Sequence, residues 1–293
     1  MKFVPTYRPR ASALHSARAG AAAFFCGSLA FAGAIDQHPL VLAAALTGIG
    51  LAAAGAGVVR EVLASARIAL PFELLVTIVN PLVYQEGNTL LVRGGEVLGR
   101  RFDITLEATV AGALAGIRVV VIIVAFWLMS VAVDPDALLR LFRRISYRSA
   151  LTASLATRLV PVLARDASRM SEAARCRPLP VSRLAVARSA LGGALDRSVD
   201  LAAALELRGY ALAGRPARRR PPWSRHDMRI AAAGIGIVAV AVAGRIAGVA
   251  GVDTYPELQL ELGAAELALA AAIVLLAAAP FAGRAARLGV VRA

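Results

Sequence analysis

Two arginines stand immediately before breaks in helical sequence, and their side chains can do recognition chemistry. Arg175 closes a long apolar-periodic run in Ala173-Ala174-Arg175-Cys176, and Arg208 closes a second in Ala204-Leu205-Glu206-Leu207-Arg208-Gly209-Tyr210. An arginine in the last turn of a helix complements the helix dipole, so one instance carries little. Two such ends on two long amphipathic helices offer a pair of guanidinium forks, each able to dock bidentately on an acidic or carbonyl-lined groove of a partner. A second set of charges sits inside otherwise apolar runs: Glu73, Arg118, Arg245 and Glu266. Because an unpaired charge in hydrocarbon costs about 3 kcal/mol or more, these predict intramembrane ion pairs, Glu73 with Arg118 and Arg245 with Glu266, or a polar substrate or proton path.

Other chemistries lack their residues. His15, His38 and His226 are far apart and none has metal-ligand spacing, so no metal site is expected. There is no phosphate-binding Gly-x-x-x-x-Gly-Lys-Ser/Thr loop, no Gly-x-Ser-x-Gly elbow and no paired-cysteine motif, hence no catalytic residue is assigned. Cys26 lies in an apolar run and Cys176 in the most basic stretch, a placement that argues against a disulfide between them.

The elements that must carry these residues follow from composition. The chain has 293 residues, 58% of them hydrophobic and only 18% charged, too oily for a soluble domain of this length. The formal charge of +14 must collect in segments that stay out of the bilayer. Lys2 is the single lysine, so arginine richness alone does not indicate nucleic-acid binding; the basic segment offers few of the stacking rings that binding needs, among them Tyr147, Tyr210 and Trp223.

Apolar runs at 19–35, 40–59, 68–84, 104–133, 230–250 and 262–281 predict about six spans. The run at 68–84 contains Pro71, Glu73 and Pro81 and is read as a kinked span or re-entrant piece, and 85–103 as a loop or small hairpin. A basic start followed by an apolar run and Ala30-Phe31-Ala32 also resembles a signal peptide; the further spans favour a first membrane helix. Residues 136–227 hold 18 arginines against 7 acids and cannot span, yet keep helical periodicity at Leu151, Leu155, Leu159, Leu163, Ala167, Met170 and Ala174, and again at Leu184, Leu191, Leu195, Ala202 and Leu205. The expected fold is therefore an all-α polytopic bundle of about six spans with a cytoplasmic pair of long amphipathic helices. Its parts are 1–135 (four spans), 136–228 (the helix pair) and 229–293 (a membrane hairpin). Arginines flanking the spans, including Arg140, Arg143, Arg144 and Arg148, Arg215 to Arg225, and Arg284, Arg287 and Arg292, place the N-terminus, the helix pair and the C-terminus on the cytoplasmic side, and the 251–261 loop with Asp253, Glu257 and Glu261 outside.

From about Asn80 to Asp227 the sequence resembles the transmembrane component of energy-coupling factor transporters, the family of cobalt, nickel and vitamin importers. The matching pieces are Asn80-Pro81-Leu82, Gly87-Asn88-Thr89, Ile104-Thr105-Leu106-Glu107, the mid-span Arg118, Arg158-Leu159-Val160-Pro161 and the two arginine ends. The resemblance implies that Ala174-Arg175-Cys176 and Leu207-Arg208-Gly209 terminate coupling helices, each arginine engaging one of two ABC-type ATPase subunits. It also implies that ATP and Mg sit on those partners, that this chain binds no cofactor and hydrolyses nothing, and that a separate small membrane protein captures the vitamin or transition-metal ion. Cys176 stands where glycine or serine is usual, Leu207 where alanine usually leads, and Ala108 where glycine often follows Glu107. The implied location is a bacterial-type cell membrane. The rival reading is a stand-alone secondary transporter or channel using Glu73 and Arg118, which leaves the arginine ends unexplained.

Overall fold

The computed structural model describes residues 7, 9–83, 89–92, 96–97, 100–101, 104–142, 147–177, 182–209, 222–249, 251 and 263–282. Of the features anticipated above, Gly87-Asn88, Arg143, Arg144, Tyr210, Arg215 to Arg220, the acidic residues of 252–262, and Arg284, Arg287 and Arg292 lie outside them. The fold is an all-α polytopic membrane bundle. Its chain divides into two compact units, one formed by Met1–Leu138 with Trp223–Ala293 and the other by Leu139–Pro222.

The first unit contains α1 (Ala13–Ser16), α2 (Ala19–Ile35), α3 (Pro39–Ala56), α4 (Val59–Val83), α5 (Leu106–Ala132), α9 (Arg225–Ile246) and α10 (Ala264–Ala278). Two short antiparallel ladders lie between α4 and α5: β1 (Leu90–Val92) pairs with β4 (Ile104–Thr105), and β2 (Glu96–Val97) with β3 (Arg100–Arg101). Four helices, α3, α4, α5 and α9, are long and apolar enough to cross a membrane; α2 and α10, at 17 and 15 residues, are shorter apolar helices. Apolar character all round, without a polar stripe, is what a helix facing lipid on one side and protein on the other requires.

The third apolar helix is longer than the run at 68–84 that announced it. Arg60 and Glu61, which in the sequence read as the close of the span at 40–59, lie in the first turn of α4. Gly57 takes a left-handed conformation (φ 68°) and the Val58 amide donates back to Ala53, so α3 stops there and α4 starts at once. Glu61 in the first turn of α4 favours its dipole and accepts from Arg10, whose guanidinium also donates to the Gly57 carbonyl.

Small residues set the packing. Gly112 and Gly116 sit on one face of α5 against α4, where a Cβ on Gly112 would stand 2.9 Å from Asn80 Cβ and one on Gly116 3.0 Å from the Glu73 carbonyl. α2 runs through the middle, packed on α3, α5 and α9, and fills the core with Phe25 and Leu29. α10 closes against α3 and α9, with Gly48 facing Ala277 and Gly244 pressed against Leu269. α4 is exposed over much of its circumference, at Leu63, Leu70, Phe72, Leu74 and Leu75, apolar side chains suited to lipid.

The second unit contains α7 (Tyr147–Arg175) and α8 (Arg183–Leu207), packed on one another; α6 (Pro135–Phe142) spans the boundary between the units. Arg197 on α8 pairs with Asp166 on α7 at 2.8 Å. On α7 the periodic residues Leu155, Leu159, Leu163, Ala167, Met170 and Ala174 are half-buried, as their spacing predicts. On α8 the outcome differs: Leu184, Leu191 and Leu195 are exposed, while Val186, Ala190, Ala194, Leu201 and Leu205 are half-buried. The alanines let the two backbones approach, and the bulkier leucines are left pointing away.

Candidate functional site

Both arginine ends are built as helix terminations. α7 ends at Arg175, and the Cys176 amide donates to the carbonyls of Ala173 and Glu172 at 3.2 and 3.3 Å. α8 ends at Leu207, with Arg208 as its C-cap: the Arg208 amide donates to Ala204 O at 3.2 Å and the Gly209 amide to Glu206 O at 2.8 Å. Gly209 has φ 74°, a left-handed stop that a side chain would strain. Arg175, Cys176 and Arg208 are exposed, Ala174 and Gly209 half-buried, and Leu207 is 91% exposed. Among the described residues neither guanidinium has an ion-pair or hydrogen-bond partner. Backbone groups alone terminate the helices, so both charged forks stay available.

The sequence pieces shared with the transporter family converge at the start of α5. Thr105 caps the helix by accepting from the Ala108 amide, and the buried Glu107 accepts from the Thr89 amide at 3.1 and 3.3 Å through its two oxygens. Asn80 Nδ2 donates to the Ala108 carbonyl at 2.9 Å and the Leu106 amide to Thr89 O. Three separated segments thus make one polar joint between α4 and α5. The methyl of Ala108 is wholly buried there, so the usual glycine is not needed.

The intramembrane charges are arranged otherwise than their hydropathy suggests. Among the described residues, neither Glu73 and Arg118 nor Arg245 and Glu266 form an ion pair. Glu73 instead accepts from Thr77 Oγ1 at 3.3 Å. Gly112 and Gly116 turn one face of α5 to α4; Arg118 is two residues on, about 200° around the helix, on the face with Ala111, Leu114 and Ala115. Glu266 remains in the first turn of α10, where the helix N-terminus favours a carboxylate. The carboxylate whose electrostatics both arginines influence is Asp36, in the turn between α2 and α3. Asp36 has no exposed surface, and among the described residues neither of its carboxylate oxygens has a hydrogen-bond partner. Burial pushes its carboxyl up to about 6, opposed by Arg245 first, then Arg118 and His38. What marks Asp36 out is its register against two helices.

At the opposite end of α2 the buried carboxylate is satisfied. Asp227 accepts from the Arg18 amide at 2.8 Å and the Ser224 amide at 3.1 Å, completes a capping box with Ser224, and pairs with Arg18 Nε at 3.7 Å. The Arg18 guanidinium lies 5.4 Å from the Trp223 ring centroid, and Arg229 donates to the carbonyls of Ala279, the C-cap of α10, and of Ala282 beyond it. The histidines serve local structure: His38 Nδ1 accepts from the Leu40 amide, His226 Nε2 bonds Ala13 O, and His15 Nδ1 bonds Ser12 Oγ. No group of three or more His, Cys, Asp or Glu among the described residues could hold a metal ion.

Residues 10–219 match the family model CbiQ, described as cobalt transport protein. No curated protein matches the chain. The match covers more than half the sequence, and the chain belongs to this family, that of the transmembrane components of energy-coupling factor transporters. Membership makes it a multi-pass component of a membrane transporter with a role in cobalt uptake.

Proposed function

We propose that this family member is the energy-coupling subunit of an importer, linking two cytoplasmic ABC-type ATPases to a small membrane protein that binds the vitamin or transition-metal ion. The observation that carries the reading is the pair of exposed, unpartnered arginines, Arg175 and Arg208, at the ends of two long helices packed in one unit. In it, Ala174-Arg175-Cys176 seats in one ATPase and Leu207-Arg208-Gly209 in the other. ATP and Mg belong to those subunits, and this chain performs no catalysis. Closure of the ATPases changes the separation of the two docking points, and α7 and α8, tied together by Arg197 and Asp166, carry the displacement. The flanking arginines set 136–228 in the cytoplasm together with both termini.

The test is co-purification of the ATPases with R175E, R208E and the double variant, with ATP-dependent uptake measured in parallel. Each single change is expected to weaken association, and the double change to abolish both association and uptake. Retention of both in the double variant refutes the reading.

A further inference from the structure

Asp36 combines features that structural carboxylates do not share. It is fully buried, has no hydrogen bond to either oxygen from the described residues, and sits at the C-terminus of α2, where the helix dipole disfavours negative charge. A buried carboxylate left so is costly, and its persistence calls for a role other than stability.

Register identifies the groups it serves. Along α2 and α9 an offset of 209 residues relates Arg18 to Asp227, which are bonded. The same offset relates Phe25 to Gly234, whose added Cβ would meet Phe25 Cα at 3.3 Å, and it brings Asp36 level with Arg245. α2 and α5 run antiparallel with Gly33 pressed on Val121, so three residues further along α2 and three back along α5 set Asp36 level with Arg118. Gln37 and Arg118 border one small cavity of about 60 Å³. Two independent helix registers therefore converge on one carboxylate. The helices concerned are those that lead the chain into the second unit, α5, and out of it, α9.

We infer that Asp36 is a positioning residue for transport, a single anion shared between Arg118 on α5 and Arg245 on α9 that closes on one or the other as the two helices shift. This rests on the coupling reading above. A carboxylate bonded to neither guanidinium can gain a direct pair by a small displacement of either helix, which makes the α2–α3 turn sensitive to movement that α5 and α9 bring from the coupling helices. The charged groups acting on it are Arg118 from α5, Arg245 from α9 and His38 from the turn itself; on α10 the acid at this end is Glu266.

The test compares wild type, D36N, D36E, R118Q and R245Q in the assembled transporter, measuring cobalt(II) uptake, ATPase co-purification and melting temperature in detergent. D36N is expected to retain the ATPases and to melt no lower than wild type at pH 7.5, because a costly buried charge has gone, yet to lose uptake at least tenfold. D36E, which keeps the anion, recovers at least half of it, and R118Q and R245Q each lower uptake. The inference is overturned if D36N transports within twofold of wild type, if either arginine variant transports normally, or if uptake falls only together with folded protein, which would make Asp36 structural. The two readings fail separately: ATPase association that survives R175E/R208E defeats the coupling role, whereas normal uptake in D36N with docking intact defeats only this inference.

Discussion

Asp227 gives the sharpest test of how the bundle is held. Its side chain is almost fully buried and accepts from two backbone amides, Arg18 at 2.8 Å and Ser224 at 3.1 Å. In D227A both amides lose their acceptor, at about 1–3 kcal/mol for each group left unsatisfied. The ion pair with Arg18 adds little beyond this, since Arg18 is 30% exposed at its side chain and keeps its place over Trp223. The Ser224 hydroxyl still accepts from the amide at position 227, so the cap on α9 survives in part. The expected loss is about 3 kcal/mol, which for a chain of this size corresponds to a melting temperature lower by roughly 6–12 °C. The two cysteines supply the readout. Cys26 on α2 is buried and Cys176 is exposed, so in a C176S background a thiol-reactive dye reports only the opening of α2. D227N, which keeps one acceptor oxygen and loses the charge, is expected to fall midway. A D227A protein that melts within 2 °C of its parent refutes the argument that α2 and α9 are pinned there.

Three further outcomes follow from the geometry. G33L forces a side chain into Val121 and is expected to lower the melting temperature by several degrees, while G50A, where nothing lies within 4 Å of the added methyl, leaves it unchanged; the dye assay reads both. D166A and R197A, alone or together, each cost no more than about 1 kcal/mol because both side chains are partly exposed, and a double-mutant cycle by thermal melting measures their coupling. His15, held below its ordinary value first by burial and then by Arg10, despite a bond to the Val131 backbone, favours the neutral ring in the fold. Its contribution is intact above the ordinary histidine pKa near 6.5 and is lost as pH falls through that value to the lower folded one, so H15Q flattens melting temperature against pH between about 7 and 5.

What could be read from the sequence depended on whether a signal was local. Spans and the amphipathic pair follow from uninterrupted apolar runs and from periodicity, and both are properties of one segment. Arg175 and Arg208 were legible as helix ends because Gly209, and the small Cys176, follow them directly. The start of α4 was not, because Arg60 and Glu61 read as the close of a span until Gly57 and Arg10 supply the turn and the counter-charge. Pairing of the membrane charges failed for a related reason. Depth along a span can be counted from its ends, but the face a side chain occupies depends on which neighbour a helix packs against. Gly112 and Gly116 bind α5 to α4 on one side and thereby turn Arg118 to the other. Similarly, Leu184, Leu191 and Leu195 stand on an exposed face of α8, while Ala190, Ala194, Leu201 and Leu205 are half-buried.

The interface between α2 and α9 carries charge at both ends, with the signs exchanged. At one end the cation is on α2, Arg18, and the anion on α9, Asp227, with amide and ion-pair bonds all formed. At the other end the anion is on α2's C-terminal turn, Asp36, and the cation on α9, Arg245, with the same register and no bond formed. Equal spacing with unequal bonding means the asymmetry does not come from a slip of one helix along the other. It comes from what surrounds each anion: Asp227 lies at a helix N-terminus with two amides directed at it, whereas Asp36 lies at a helix C-terminus with none. The first arrangement fixes position, because any movement breaks formed hydrogen bonds. The second leaves position open to small shifts, because a second cation, Arg118, competes for the same carboxylate from α5. An interface anchored at one end and undecided at the other can change its geometry at the undecided end without repacking Phe25 and Leu29 in between, a property that a subunit relaying motion across a membrane requires.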